Sequence, residues 1–113
     1  TSIETKNLNN NLQINIAFNY SSKFEIINAL NKINLLNLKI NKRNIENLLY
    51  TNGIPDPEIL IRTGGYKRLS DFLLWQLSYT EFFFFTKLWP DFKKNDLKKV
   101  ISKYKLIKRN FGS

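Results

Sequence analysis

The sequence predicts an α/β fold, a mostly parallel sheet flanked by helices. Three observations carry that expectation. Segments with the period-two pattern of strands alternate with segments of helical period. Ile59-Leu60-Ile61 is a short continuous apolar run, the kind that suits a strand buried on both faces. Each interval between strands is also long enough to return the chain to a parallel neighbour. With 113 residues and no internal repeat or linker, the chain has the size of one small domain.

Residues 1–11 are polar, with three consecutive asparagines at 9 to 11, and read as a loop or a frayed end. Leu12, Ile14, Ile16 and Phe18 then alternate with Gln13, Asn15 and Ala17, which predicts a strand. After a turn at Asn19 to Ser22, the pair Ser22 and Glu25 has the spacing of a capping box. Ile26, Leu30 and Ile33 continue the helix to about Leu36. Asn41 caps a second, shorter helix that carries Ile45, Leu48 and Leu49. Asn52-Gly53, Pro55 and Pro57 make Thr51–Pro57 a loop. The strand at Ile59–Ile61 follows, running directly into Arg62-Thr63-Gly64-Gly65. Between Asp71 and Thr80 the run FLLWQLSY is apolar nearly all round and predicts a deeply buried helix. Phe82–Phe85 reads as a third strand and Trp89-Pro90-Asp91 as a turn. In the last helix Leu97, Val100, Ile101, Tyr104 and Ile107 form an apolar face opposite Lys98, Lys99, Lys103 and Lys105.

Composition narrows the chemistry. The chain has no Cys and no His, which excludes disulfides, thiolate zinc sites and cysteine catalysis and removes the usual general base. Any metal must therefore be held by oxygen. Eighteen Lys and Arg against nine Asp and Glu give a net charge of +9, which suits an anionic partner. A drift towards Asn, Ile and Lys throughout the chain accounts for the same charge. No apolar run approaches the roughly 20 residues of a membrane-spanning helix, and the polar N-terminus is unlike a signal, so we expect a cytoplasmic protein. Because the chain starts at Thr1 and contains no Met, we also expect further sequence upstream.

The segment IRTGGYKRLS, residues 61–70, lies where open α/β sheets bind ligands: after a buried strand and before a predicted helix. Gly64 and Gly65 allow close backbone approach or positive φ. Arg62 and Arg68 offer planar donor forks for phosphate oxygens, Ser70 offers a hydroxyl, and a helix beginning near Asp71 would add free amides. The alternative is a Gly-Gly turn with two solvated arginines. The spacing fits neither a phosphate loop nor a dinucleotide fingerprint. Glu81 stands between apolar segments, where an ionised carboxylate is costly unless it is paired or bound to metal. It is either an arginine partner or a ligand for Mg²⁺.

The run EILIRTGGYKRLSDFLLWQLSYTEFFFFTKLWPDF, residues 58–92, closely resembles the C-terminal half of the cis-prenyltransferases, in particular the bacterial undecaprenyl diphosphate synthases. The likeness extends to INIAFNYSSKFEI at 14–26 and to the ending RNFGS. It implies that residues 1–113 are the C-terminal half of one cis-prenyltransferase domain, without the N-terminal half. By this resemblance Arg62, Arg68 and Ser70, with Leu69 in the same segment, match the residues that hold the diphosphate of isopentenyl diphosphate. Glu81 matches a magnesium ligand. The implied activity is the sequential cis-condensation of isopentenyl diphosphate onto an allylic diphosphate to give a long polyprenyl (undecaprenyl) diphosphate, a lipid carrier for cell-wall precursors. The implied partners are those two substrates and a second copy in a homodimer, with the product partitioning to the membrane. The catalytic Asp falls in the other half, so no catalytic residue is expected here.

Three positions depart from the family pattern. Tyr66 stands where Glu is usual, Lys67 where some members have a magnesium-binding His, and Asn110 where a second arginine precedes Phe111-Gly112. The alternatives to an active enzyme half are an inactive fragment or degraded copy, a non-catalytic subunit, and a basic module that binds anions or nucleic acid. Non-catalytic subunits tend to lose the IRTGG and RLS segments that are intact here. Nucleic acid is not expected, because the aromatics fall in buried-looking segments and form no stacking platform.

Overall fold

The computed structural model describes residues 2–8 and 12–112. The chain divides into two compact units, one built from Thr1–Pro55 with Ser70–Leu74 and the other from Asp56–Leu69 with Trp75–Ser113.

In the first unit, β1 (Ser2–Leu8) and β2 (Leu12–Phe18) form an antiparallel hairpin, in register from Ser2 opposite Phe18 to Leu8 opposite Leu12. Residues 2–8, expected as loop, are therefore a strand, and a polar edge strand is compatible with that sequence because pairing uses the backbone. Asn9 to Asn11 lie outside the described residues. The predicted strand at Leu12–Phe18 is present, but its hydrogen-bonded partner is β1 rather than the parallel strands. Its apolar face, Leu12, Ile14, Ile16 and Phe18, is exposed.

Helix α1 spans Ser22–Leu35 and α2 spans Lys42–Leu48, burying Ala29, Ile33, Ile45 and Leu49. Asn41 caps α2 as expected, its side chain accepting from the Asn44 amide at 2.8 Å. The cap of α1 is shifted by one residue. Ser21, not Ser22, accepts from the Phe24 amide, and Glu25 turns inward, 1% exposed. The Glu25 carboxylate accepts from the Tyr50 amide at 2.8 Å and from the Tyr20 hydroxyl, which satisfies a group too costly to bury alone. Burial, reinforced by this bond to Glu25, pushes the Tyr20 phenol well above its usual range.

The predicted helix over 71–80 is absent: the segment is a succession of turns. Ser70, Asp71 and Leu73 adopt φ of 51°, 61° and 46°, a left-handed backbone that a right-handed helix cannot contain. Within the first unit, the Asp71 carboxylate accepts from the Lys23 amide at 3.0 Å and from the Ser21 hydroxyl. The Asp71 carbonyl accepts from the Ser22 amide, and the Leu74 amide donates to the Ser22 hydroxyl at 2.9 Å. Orphan donors at the start of α1 thus take the polar groups that a local helix would have used. Phe72 meets Tyr20 edge to face, with ring centroids 5.7 Å apart.

In the second unit, β3 (Ile59–Arg62) and β4 (Glu81–Phe84) are parallel, with Ile59 beside Glu81 and Arg62 beside Phe84. The parallel pairing is as expected of the segment, but β3 is half-buried and not buried on both faces. The turn at Trp89–Asp91 is one turn of 3-10 helix, and α3 follows over Lys94–Leu106. Asp96 fixes the start of α3 by accepting from the Lys93 amide at 2.8 Å and from Lys87 Nζ at 2.9 Å. Those two bonds, the amide first, hold its carboxyl below the usual range. Leu77 and Val100 are the buried apolar residues of this unit.

Candidate functional site

Arg62 ends β3, and the chain leaves the sheet at once through Gly64 and Gly65, with φ of 91° and 84°. A methyl group on either glycine would meet nothing closer than Thr86 Cα at 4.0 Å. The backbone angle, and not lack of space, therefore requires glycine here. Their amides are engaged within the protein: Gly64 donates to the Lys87 carbonyl and Gly65 to the Phe85 carbonyl, both at 2.9 Å. The glycine turn is a hook onto the chain that follows β4, and no helix starts at Asp71. The positive φ expected of the two glycines is present, whereas the helix N-terminus expected near Asp71 is absent and adds no amides to an anion cradle, a correction to the sequence reading. What remains is made of side chains.

Those side chains converge. The Arg62 guanidinium donates through Nη1 to the Arg68 carbonyl. Both guanidinium groups lie over the ring of Tyr66, Arg68 at 4.4 Å and Arg62 at 5.8 Å from its centroid. Two permanent cations held at the C-terminal end of a parallel strand make a point of concentrated positive charge, and their planar forks match phosphate oxygens. Leu69, half-buried, closes this stretch of the second unit. Ser70 belongs to the first unit and is exposed, with φ of 51°.

Glu81 is elsewhere on the pair. It opens β4 beside Ile59, three residues from the level of Arg62, or about 10 Å along the strands. Its carboxylate faces Arg109 Nε at 3.8 Å, with the side chain a third exposed. Arg109 also donates to the Tyr104 hydroxyl and to the Tyr79 carbonyl, each at 2.7 Å, and lies over the Tyr104 and Phe111 rings. Tyr104 in turn donates to Glu58 at 2.9 Å, and its phenol is raised by burial first and by that bond second.

The oxygen chemistry of Glu81 fits a hard cation. A 3.8 Å ion pair is longer than a hydrogen bond and does not consume the carboxylate. Among the described residues no group of three or more Asp, Glu, His or Cys could cage a metal. Mg²⁺ is compatible with such a site, since it takes one or two carboxylates and completes its shell with phosphate oxygens and water.

The sequence named Arg62 and Arg68 as a pair, and the structure brings them together; it does not bring Glu81 to them. Tyr66, marked in the sequence only as a departure from a pattern, has its ring beside both guanidinium groups.

Comparison with known proteins shows what the chain is similar to. The family model described as "Putative undecaprenyl diphosphate synthase" matches residues 1–112. The chain is 44% identical over 112 residues to an isoprenyl transferase of Oceanobacillus iheyensis, covering 92% of this chain and 44% of that protein. It is 45% identical over 109 residues to one of Rickettsia prowazekii, covering 96% and 48%. Among solved structures it resembles that of a probable undecaprenyl diphosphate synthase from Campylobacter jejuni. That match has a TM-score of 0.79 and 35% identity and covers 86% of this chain and 46% of that one. It also resembles lavandulyl diphosphate synthase from Lavandula x intermedia, solved in complex with dimethylallyl diphosphate. Here the TM-score is 0.76 and the identity 38%, over 83% of this chain and 44% of that one. The chain spans about half the length of the curated relatives it matches.

Proposed function

The chain belongs to the family of undecaprenyl diphosphate synthases, the cis-prenyltransferases, and from that premise we propose that it supplies the isopentenyl diphosphate site of such an enzyme. The observation that carries the reading is the convergence of Arg62 and Arg68 at the end of β3. Two guanidinium groups offset the charge of a diphosphate and fix its orientation through charge-assisted bonds. Leu69 and Ser70 are assigned to the same diphosphate by their place in the IRTGG–RLS segment.

In the reaction so assigned, the double bond of isopentenyl diphosphate attacks C1 of the allylic diphosphate. A carbon–carbon bond forms, the carbon–oxygen bond to the allylic diphosphate breaks, and a proton leaves C2 of the isopentenyl unit. The released products are diphosphate and a chain longer by one cis isoprene unit. The arginines bind and orient the nucleophile, which lowers the entropic part of the barrier. No bond-making residue is assigned to this chain. Glu81 would hold Mg²⁺, which, when bound, supplies neutralisation of charge on diphosphate oxygens. The assignment extends to 1–113 as the C-terminal half of one domain, to a homodimer, to a cytoplasmic enzyme and to a polyprenyl product that enters the membrane. Among the described residues no helix is long and apolar enough to cross a membrane.

Steady-state kinetics of Arg62→Ala and Arg68→Ala in an active enzyme carrying this segment test the reading. Each substitution should raise KM for isopentenyl diphosphate at least about tenfold, the order expected from losing a bond to a charged group. Unchanged kinetics in both variants would refute the assignment.

A further inference from the structure

We propose that Tyr66 is a positioning residue whose ring holds the guanidinium groups of Arg62 and Arg68 together as a receptor for diphosphate. The inference deepens the function proposed above and rests on it. Two like charges brought to one place repel, so they keep that arrangement only if something nearby offsets the repulsion. The negative face of an aromatic ring contributes to this beside the Arg68 carbonyl, which accepts from Arg62, and both cations lie within reach of the same ring, at 4.4 and 5.8 Å. The manner of holding matters for ligand binding. A carboxylate would hold the arginines by occupying their in-plane N–H donors and cancelling their charge. A ring engages the guanidinium face and leaves the net charge in place, while of the in-plane donors Arg62 Nη1 is already used by the Arg68 carbonyl.

Core packing does not account for Tyr66, because the side chain is 55% exposed. The local backbone is fixed independently of it, since the Gly64 and Gly65 amides are tied to the Lys87 and Phe85 carbonyls. Tyr66 therefore acts on where two side chains rest, and not on the path of the chain.

Calorimetric titration of the chain with inorganic diphosphate separates the possibilities. Tyr66→Phe keeps the ring and should bind within about twofold of the unsubstituted chain. Tyr66→Leu keeps the bulk without the π face and should bind about tenfold more weakly, as expected for two exposed cation–π contacts. Tyr66→Gln repeats the comparison with a polar side chain, and circular dichroism establishes that each variant is folded. In an active enzyme carrying this segment, the Leu substitution should raise KM for isopentenyl diphosphate and leave kcat in place. Arg62→Ala and Arg68→Ala are the reference variants. If they weaken binding while Tyr66→Leu and Tyr66→Gln bind like the unsubstituted chain, the role of Tyr66 is overturned and the diphosphate site stands. If the arginine variants bind diphosphate no differently from the unsubstituted chain, the site reading falls and the Tyr66 inference with it.

Discussion

At the scale of single residues, chemistry separates Arg62 and Arg68 from Glu81. The arginines were legible in the sequence because a Gly-Gly turn after a buried strand is a known place for ligands, and paired guanidinium groups there suit an anion. Glu81 was legible only as a conflict, a charge among phenylalanines. The structure resolves part of that conflict with Arg109. A loose pair with a third of the carboxylate side chain exposed is worth at most about 1 kcal/mol, so Glu81→Gln should leave the fold intact. If Glu81 holds magnesium, the same substitution should sharply reduce turnover and raise the magnesium concentration for half-maximal rate. Turnover that persists with an unchanged magnesium dependence would make the carboxylate structural, a partner of Arg109 alone. Tyr66 was not legible as a holder of two cations, since side-chain direction after two left-handed glycines does not follow from sequence spacing.

At the scale of elements, α2, β3, β4 and α3 follow from their periodicity and caps, with boundaries moved by a residue or two. The run FLLWQLSY misled for a physical reason. Apolar residues on every side are compatible with a buried helix, but the pattern does not register that Asp71, just before them, caps another helix 50 residues earlier. The Asp71 carboxyl is held below its usual range, first by the Ser21 hydroxyl and then by the Lys23 amide. A depressed carboxyl contributes stability that is fully present above the unfolded value of about 3.9, and that is lost as pH falls through the folded value. The Lys23 amide resonance should accordingly titrate with a midpoint below about 3.9, and Asp71→Asn should abolish that titration. A midpoint at or above the ordinary value would contradict the cap. The alternating strand β2 carries a similar lesson. Its pattern identified the face that seeks cover, while the described residues leave Leu12, Ile14, Ile16 and Phe18 exposed.

At the scale of the whole molecule, family membership is stronger than any single element, because the matches reach 44% and 45% identity over nearly the entire chain. They also extend over about half of each relative, so the reaction of the whole enzyme is a proposal for this chain. The net charge of +9 suits a diphosphate substrate but was shared with every other anionic partner, and only the placement of Arg62 and Arg68 narrows it. The most direct measurement replaces the matching stretch of an active isoprenyl transferase with this chain and follows magnesium-dependent incorporation of labelled isopentenyl diphosphate onto an allylic diphosphate. The account predicts polyprenyl product from the chimera and its loss on Arg62→Ala. A folded chimera that binds the allylic substrate yet incorporates no isopentenyl diphosphate would contradict it.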